Sequence, residues 1–451
     1  MDITESKYVR NVAQFNTIRG ISICFIASYF LMPQYVGINL AGFDLTVNRI
    51  FLLVLLMCIV ADENSAKEFV GMVRNFKYLA PVLCFEIVLA YTGVLRVDIN
   101  TLMNATIEFV FMFLLIYVIK YILGISLFIK IVKVSAFILC VLGIQEYVTG
   151  INLFHKLQTL DANFSQYIRS GSLRIMGPCG HALAYGLLLL LFLPLVCVDW
   201  EEKKVNLLQN KLLFFLIVIN IFLTGSRSSL ALLIVELGLL FLCSPVKEKK
   251  QALLFLLLAV AAVAAFVVVM PNNSMSRYIM LQVTSVIDTV LGTNFAVSYG
   301  AETERLSNSS YYRQVLPKVF FVSYLNPILG RGVSRHSSFQ IDGISIISID
   351  NFYVAQYIRY AYTGLLSYMW FVVAIAIDML KNWFRRKDGV YAVLLIACVS
   401  YYINLWWMDS LQTLRYVYAW FAMIYVYMLD HRHITLKERR KRGHESKYIR
   451  S

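Results

Sequence analysis

The stretch NIFLTGSRSSLALLIV, residues 220–235, places one arginine between two strongly apolar runs. An arginine near the middle of a lipid bilayer costs about 3 kcal/mol even on lenient insertion scales. Arg227 therefore needs a polar neighbour, a water-filled cavity or a route to the membrane surface. The glycine and serines beside it predict a turn that opens a helix, with Ser226 or Ser228 as the capping residue.

The rest of the chain is equally apolar. Of 451 residues, 59% are hydrophobic and only 15% are charged, which leaves too little polar sequence to cover a soluble core of this size. Many apolar blocks approach the roughly 20 residues that cross a bilayer as a helix. The sequence predicts an all-α polytopic integral membrane protein. About 12 spans are expected, over 16–34, 46–61, 78–95, 101–119, 126–148, 179–198, 211–224, 230–243, 251–270, 352–378, 389–408 and 412–429.

The positive charges set the expected topology. With the N-terminus in the cytoplasm, each inward connection is rich in lysine or arginine, as the positive-inside rule requires. We therefore interpret much of the net charge of +14 as a topology signal and expect no nucleic-acid partner. The expected segments are helices 1–5 in 1–148, an outer loop over 149–178, helices 6–9 with the Arg227 hairpin in 179–270, a large extracytoplasmic loop over 271–351, helices 10–12 in 352–430, and a basic cytoplasmic tail over 431–451.

The expected outer side is rich in arginine and has only two lysines, Lys156 and Lys318. Arginine binds phosphate oxygens in pairs through a planar fork, whereas lysine is a point charge. The pattern favours phosphate recognition, although arginines that reach along the membrane surface would produce it too.

The hairpin around Arg227 is short. The apolar runs 212–224 and 230–243 each cover roughly 20 Å at 1.5 Å per residue, against about 30 Å of hydrocarbon. The turn should therefore stop short of the outer surface, at the floor of an outward-open cavity, where the helix start attracts anions. Alternatively, Arg227 reaches outward or pairs with an acidic residue such as Glu236.

Further polar candidates lie in the two outer segments. Arg174 and His181 flank an irregular glycine-proline stretch before the sixth span, and His181 has an equally simple structural role at the helix start. In the large loop, apolar residues at helical spacing over 312–320 predict an amphipathic helix that lies on the membrane or on the bundle. The remaining candidates there are Arg305, Arg313, Arg331, His336, Asp350 and Asn351.

Three observations bear on other functions. The Asp350–Asn351 pair can cap the tenth span without any catalytic role. No nucleotide-binding glycine pattern or metalloprotease motif is present. Intramembrane glutamates are also compatible with a proton-coupled transporter, which is therefore an alternative function; they are Glu86, Glu108 and Glu236.

Four stretches in order resemble the O-antigen ligase/polymerase superfamily of membrane glycosyltransferases. They are RIMGPCGHALAYGLLLLLFLP (174–194), TGSRSSLALL (224–233), RQVLPKVFFVSYLNPILGRG (313–332) and SIDNFYVAQYIRYAYTGLLSY (348–368). Ligases of the superfamily resemble one another in carrying a histidine before the asparagine, where this chain has Asp350. The tryptophan that follows the loop arginine in the family pattern is also absent. The aspartate-asparagine form is more similar to Wzy-type polymerases of O-antigen, capsule or exopolysaccharide.

The resemblance implies a GT-C-like fold in a bacterial cytoplasmic (inner) membrane, with both termini in the cytoplasm and the active site outside. It implies an undecaprenyl-diphosphate-linked glycan as donor and as acceptor, with a chain-length regulator and a flippase as further partners. The family's diphosphate-binding arginines correspond to Arg227, Arg313 and Arg174.

The hypothesis is therefore a polymerase that needs neither a metal nor another cofactor. Arg227 and Arg313 would stabilise the departing diphosphate, supported by Arg174 and Arg305. Asp350 would serve as base, with His336 second. Arg331, His181 and Asn351 are the remaining candidates for substrate binding. A ligase that transfers the glycan to lipid A-core, and a flippase or other transporter, are the alternatives.

Overall fold

The computed structural model describes residues 12–40, 43–161, 168–169, 172–300, 311–334, 339–341, 344–346 and 349–430. These residues are mostly helical. The predicted basic tail over 431–451 lies outside them.

Every predicted apolar block contains a helix, and three further helices, α3, α11 and α12, lie between blocks. The helices are α1 (Val12–Leu31), α2 (Val47–Ala61), α3 (Glu63–Arg74), α4 (Leu79–Arg96), α5 (Ile99–Tyr117), α6 (Gly124–Thr149), α7 (Ala182–Val196), α8 (Lys211–Leu223), α9 (Arg227–Cys243), α10 (Val246–Val269), α11 (Ser274–Leu291), α12 (311–315), α13 (Phe352–Arg386), α14 (Gly389–Asn404) and α15 (414–430).

Short antiparallel hairpins connect some of the helices. They pair β1 (Gly37–Leu40) with β2 (Phe43–Thr46), β3 (Ile168–Arg169) with β4 (Ser172–Leu173), β5 (Val198–Asp199) with β6 (Lys204–Val205), and β7 (Phe339–Ile341) with β8 (Ile344–Ile346). A π-helical turn, Val118–Leu123, joins α5 to α6, and 3₁₀ turns cover His155–Leu157, Phe295–Tyr299 and Leu316–Phe321.

Four helical stretches are long and apolar enough to cross a membrane: Leu79–Arg96, Ile99–Thr149, Val246–Val269 and Phe352–Arg386. The stretch Ile99–Thr149 covers two predicted spans, which part at Gly124, where φ is 77°. Several other helices are apolar but shorter. The count of about 12 spans, the segment boundaries and the GT-C-like architecture stay predictions.

Helix α7 lies at the centre of the bundle. Nearly all of its side chains are buried, including the run from Ala184 to Val196. It packs against α6, α8, α9 and α14. Because lipid tails are as apolar as leucine, such a helix is held by close packing rather than by exclusion from water. This central packing fixes the positions of α8 and α9, and therefore of the turn between them.

The connections between helices meet at the two ends of the bundle. At one end, Lys77 pairs with Asp378, and Gly389 N–H donates to Lys203 O at 2.8 Å. At the other end, Arg96 Nε donates to Gly330 O at 2.8 Å, and Gly37 N–H donates to Thr159 Oγ1 at 2.8 Å. We call the second end, which carries the long loops, the loop end. Its placement outside the cell stays a prediction.

The predicted amphipathic stripe over 312–320 lies on the bundle. Val315, Leu316 and Val319 are buried in a cluster with Val354 and Ile358 of α13. The α-helical residues 311–315 give way to the 3₁₀ turn Leu316–Phe321, in which proline occupies one of the first two positions. Proline cannot donate the helical hydrogen bond, so the α-helix does not continue through it.

Candidate functional site

The turn that contains the GSRSS motif is buried inside the protein. Helix α8 ends at Leu223 and α9 begins at Arg227. Ser226 caps α9, since its Oγ accepts a hydrogen bond from Ser229 N–H at 3.2 Å. The side chains of Thr224, Ser226 and Ser229 are fully buried. The predicted cap is thus confirmed, and the irregular backbone is shielded by protein, as membrane depth requires.

Two predicted arginines border this turn. Arg174 is buried, donates from Nε to Thr224 O at 2.9 Å and packs against Gly225. Arg227 is half-buried and lies within electrostatic reach of Asp288 on α11. A helix N-terminus carries a partial positive charge that adds to that of the guanidinium groups. Both arginines therefore lie at the turn between α8 and α9, where a helix N-terminus attracts anions.

Arg313 and Asp350 form a second group. The Arg313 side chain is half-buried, and its Nε makes no hydrogen bond with any described residue. Burial lowers the pKa of Arg313, and the nearby Asp350 carboxylate partly opposes that effect. The predicted base and one predicted phosphate-binding arginine are thus neighbours.

The segment NPILGRG is held by a break in α13. At Ala361 the backbone has φ 58° and ψ −171°, so the helical geometry is interrupted at this residue within α13. The break releases carbonyl groups of the preceding turn. Arg331 N–H donates to Ile358 O at 2.8 Å and Gly332 N–H donates to Arg359 O at 3.1 Å. The break thus attaches the large loop to α13 beside Arg359.

The strain at Ala361 gives a testable stability prediction. Its dihedral angles lie in a region that is favourable only for glycine, and a side chain there costs about 1–3 kcal/mol. We expect Ala361→Gly to raise the melting temperature of the purified protein. Thermal unfolding in lipid nanodiscs measures this. A lower melting temperature in the variant would contradict the strain.

A polar cavity of about 620 Å³ opens at the loop end. Its walls come from α1, α2, α4, α5, α13 and α15, together with β2, residues 333–334 of the large loop and the loop that follows α14. The charged side chains that line it are Asp44, Arg49, Glu108, Arg359, Asp409 and Arg415. Arg174, Arg227 and Arg313 are not among its lining residues.

The three cavity arginines were not among the predicted site residues. Arg49 donates to Asp44 O at 2.7 Å, and Arg359 pairs with Asp409 Oδ2 at 2.8 Å. Arg415 donates from Nη2 to Met32 O at 3.2 Å. Each lies within an apolar block of the sequence, near its expected outer end. Each of them carries the same sequence signal as Arg227, which is a single arginine within an apolar run.

Two loops connect this cavity to the predicted residues. The segment that follows Arg174 places Cys179 beside Arg415 and Tyr416. The loop after α14 accepts a hydrogen bond from Asn351 Nδ2 at Trp406 O, at 2.9 Å, and supplies Asp409 to Arg359. The predicted arginine groups and the cavity therefore lie at the same end of the bundle.

Asp98 fixes one wall of the cavity. Its Oδ2 accepts hydrogen bonds from Val333 N–H at 2.9 Å and Ser334 N–H at 3.0 Å, and its Oδ1 accepts one from Ser334 Oγ at 2.7 Å. Val333 and Ser334 line the cavity. Burial alone would raise the pKa of Asp98, but the bonds from Ser334 and Thr101 lower it to about 2.

This lowered pKa predicts a pH-dependent contribution to stability. The ionised carboxylate stabilises the fold above the ordinary aspartate pKa of about 4, and the contribution disappears as the pH falls from about 4 to 2. We expect Asp98→Asn to lower the free energy of unfolding by about 2 kcal/mol at neutral pH, and the difference to shrink below pH 4. Denaturant unfolding at several pH values tests this, with exposed Asp161→Asn as control. An equal loss at pH 7 and pH 2.5 would contradict the assignment.

Three other predicted site residues make contacts that stabilise the local fold. His181 caps α7, as its Nδ1 accepts a hydrogen bond from Leu183 N–H at 3.0 Å. Asn351 caps α13 through Val354 N–H at 3.0 Å. The Arg331 guanidinium lies 5.8 Å from the centre of the Tyr324 ring. Arg305 and His336 lie outside the described residues.

The comparison with known proteins covers the middle of the chain. Residues 212–369 match the Wzy_C family model, described as O-antigen ligase. The matched segment contains the buried turn, Arg227, Arg313 and Asp350. No curated protein matches the chain. Over the segment that carries these groups, the chain matches the O-antigen ligase family, which confirms the resemblance seen in its motifs.

Proposed function

We propose that this protein is a membrane glycosyltransferase that joins undecaprenyl-diphosphate-linked oligosaccharide repeat units into a surface polysaccharide at the outer face of the cytoplasmic membrane. Members of the matched family are glycosyl-transferring enzymes. The observation that carries the proposal is the buried turn at Arg227, which lies inside the matched segment and places two arginines at a helix N-terminus.

The proposed reaction is a single displacement at the anomeric carbon. A hydroxyl oxygen of the acceptor glycan forms the new glycosidic bond, and the bond between the anomeric carbon and the diphosphate oxygen breaks. Undecaprenyl diphosphate departs with the electron pair, and Asp350 takes the hydroxyl proton. The anomeric configuration inverts.

The arginines stabilise the charge that grows on the leaving diphosphate. Groups already fixed in a partly dry site do this more strongly than the same groups in water. Arg227 and Arg313 have that role in the proposal, with Arg174 in support. Arg313 also stands beside Asp350, so it couples the leaving-group side of the site to the base.

A ligase is the second candidate, because the matched family is described as O-antigen ligase. It would use the same donor and transfer the glycan to lipid A-core. The substituted position Asp350 is the reason for preferring a polymerase, since ligases of the superfamily resemble one another in carrying histidine there.

Deletion of the gene, followed by gel analysis of surface polysaccharide, separates the candidates. A polymerase predicts single repeat units on the cell surface. A ligase predicts full-length polymer that stays on the lipid carrier. A flippase predicts that repeat units do not reach the outer face. Either of the last two outcomes would contradict the polymerase proposal.

A further inference from the structure

The cavity at the loop end contains buried polar atoms that make no hydrogen bond with any described residue. Asn48 is 3% exposed, and neither Nδ2 nor Oδ1 has a hydrogen-bond partner among the described residues. The same holds for Nε and Nη1 of Arg415, which is 4% exposed, and for Oε2 of Glu108. All three residues line the cavity. Buried polar atoms are normally paired, so this grouping points to a ligand.

The charge of the cavity argues against a diphosphate as that ligand. Three arginines line it, but so do three carboxylates, Asp44, Glu108 and Asp409. A diphosphate only accepts hydrogen bonds and carries negative charge, so the carboxylates would repel it. The donors and acceptors here are mixed, which suits a partner that both donates and accepts.

Sugar hydroxyls are such a partner, since each can donate one hydrogen bond and accept others. The lining also holds the amides of Asn104 and Gln356, and the rings of Tyr29, Tyr360 and Tyr418. Tyrosine presents an apolar face together with a polar edge, which matches the two kinds of surface that a sugar ring offers. A volume of about 620 Å³ lies within the usual range for small-molecule sites.

We infer that this cavity binds sugar residues of the glycan substrate through Asn48, Glu108 and Arg415, and so selects which repeat unit is accepted. The inference rests on the proposed function, because it names the part of the substrate that the cavity recognises. Asn48, Glu108 and Arg415 lie outside the matched segment 212–369. Selection of the sugar thus comes from helices that the family match does not cover, while the diphosphate is bound within and beside the matched segment.

Asn48→Leu provides a sharp test. Leucine has nearly the same size and favours the helix, and the wild-type amide has no partner that the fold would lose. The probe is the oligosaccharide repeat unit of the source strain, released from its lipid by mild acid. Binding is measured by saturation-transfer NMR with the full-length protein in nanodiscs. We expect the variant to bind the oligosaccharide at least tenfold more weakly and to melt at or above the wild-type temperature.

Asn404→Leu is the matched control. Asn404 is also fully buried, and its amide has no hydrogen-bond partner in the described part of the chain, but it does not line the cavity. The Asn404→Leu variant should bind the oligosaccharide as tightly as the wild-type protein does. Gln356→Met, on a different helix, repeats the test if Asn48→Leu does not fold. Undecaprenyl diphosphate without sugar is the second probe, and its binding should be unchanged in both cavity variants.

The inference is overturned if wild-type protein does not bind the free oligosaccharide, if the folded cavity variants bind it normally, or if they lose undecaprenyl diphosphate instead. Its failure is distinct from that of the proposed function. Protein that binds the oligosaccharide through Asn48 but transfers no glycan would support the inference and remove the polymerase. Protein that polymerises repeat units but binds the sugar independently of the cavity would support the polymerase and contradict the inference about the cavity.

Discussion

Replacement of Arg227 by lysine is expected to lower the rate of glycan transfer about 100-fold, the usual effect of removing one donor from a site that stabilises developing charge. Lysine keeps the positive charge but loses the planar fork that binds two phosphate oxygens together. Arg227 begins α9, so in the proposal the fork and the helix N-terminus act at the same place. Polymer length in a complemented deletion strain and the transfer rate in vesicles both measure the effect.

The control for Arg227→Lys is Arg277→Lys. Arg277 is exposed on α11, on the same side of the bundle, and its replacement should leave transfer unchanged. Arg313→Lys should behave like Arg227→Lys. Wild-type polymer length with lysine at both Arg227 and Arg313 would contradict the bidentate proposal.

Gly330→Ala is expected to abolish transfer and to lower the melting temperature. A methyl group at Gly330 would lie 2.1 Å from the carbonyl oxygen of Arg359 and 2.6 Å from the Cα atom of Tyr360. These are backbone atoms, which cannot move aside as the end of a side chain can. The loop would therefore separate from the break in α13, with the loss of its two backbone hydrogen bonds and of the adjacent cavity wall. An overpacked site of this kind typically costs about 1–3 kcal/mol, occasionally more.

Gly180→Ala is the matched control for this change. A methyl group there meets no atom within 4 Å, and the glycine lies in a loop at the same end of the bundle. It should retain both transfer and melting temperature. Normal transfer by Gly330→Ala would show that the loop does not need its close contact with α13.

Local chemistry made part of the site predictable from the sequence. A serine beside a glycine before an apolar run predicts the cap of α9, and Ser226 is the capping residue in the structure. The apolar stripe over 312–320 predicts a face that packs on the membrane or on the bundle, and Val315, Leu316 and Val319 are buried in the structure. The cap depends on residues within a few positions of one another, and the spacing of the stripe is also local, although the residues that cover the stripe belong to α13.

The polar cavity depends on contacts that spacing does not encode. Its walls join residues as far apart as Tyr29 and Tyr418. Each of its arginines is visible in the sequence, but only the packing of helices brings Arg49, Arg359 and Arg415 to one opening. The break at Ala361 was equally hidden, because alanine normally favours a helix and no proline marks the position. There the anchored loop overrides the local preference.

Transfer by the purified protein in lipid vesicles tests the central claim most directly, with the undecaprenyl-diphosphate-linked repeat unit as the only glycan. The account predicts a ladder of longer lipid-linked glycans and the release of undecaprenyl diphosphate, without nucleotide sugar and in the presence of a metal chelator. The ladder should be lost with Arg227→Lys and kept with Arg277→Lys. Absence of a ladder from folded wild-type protein, or an equal ladder from both variants, would contradict the account.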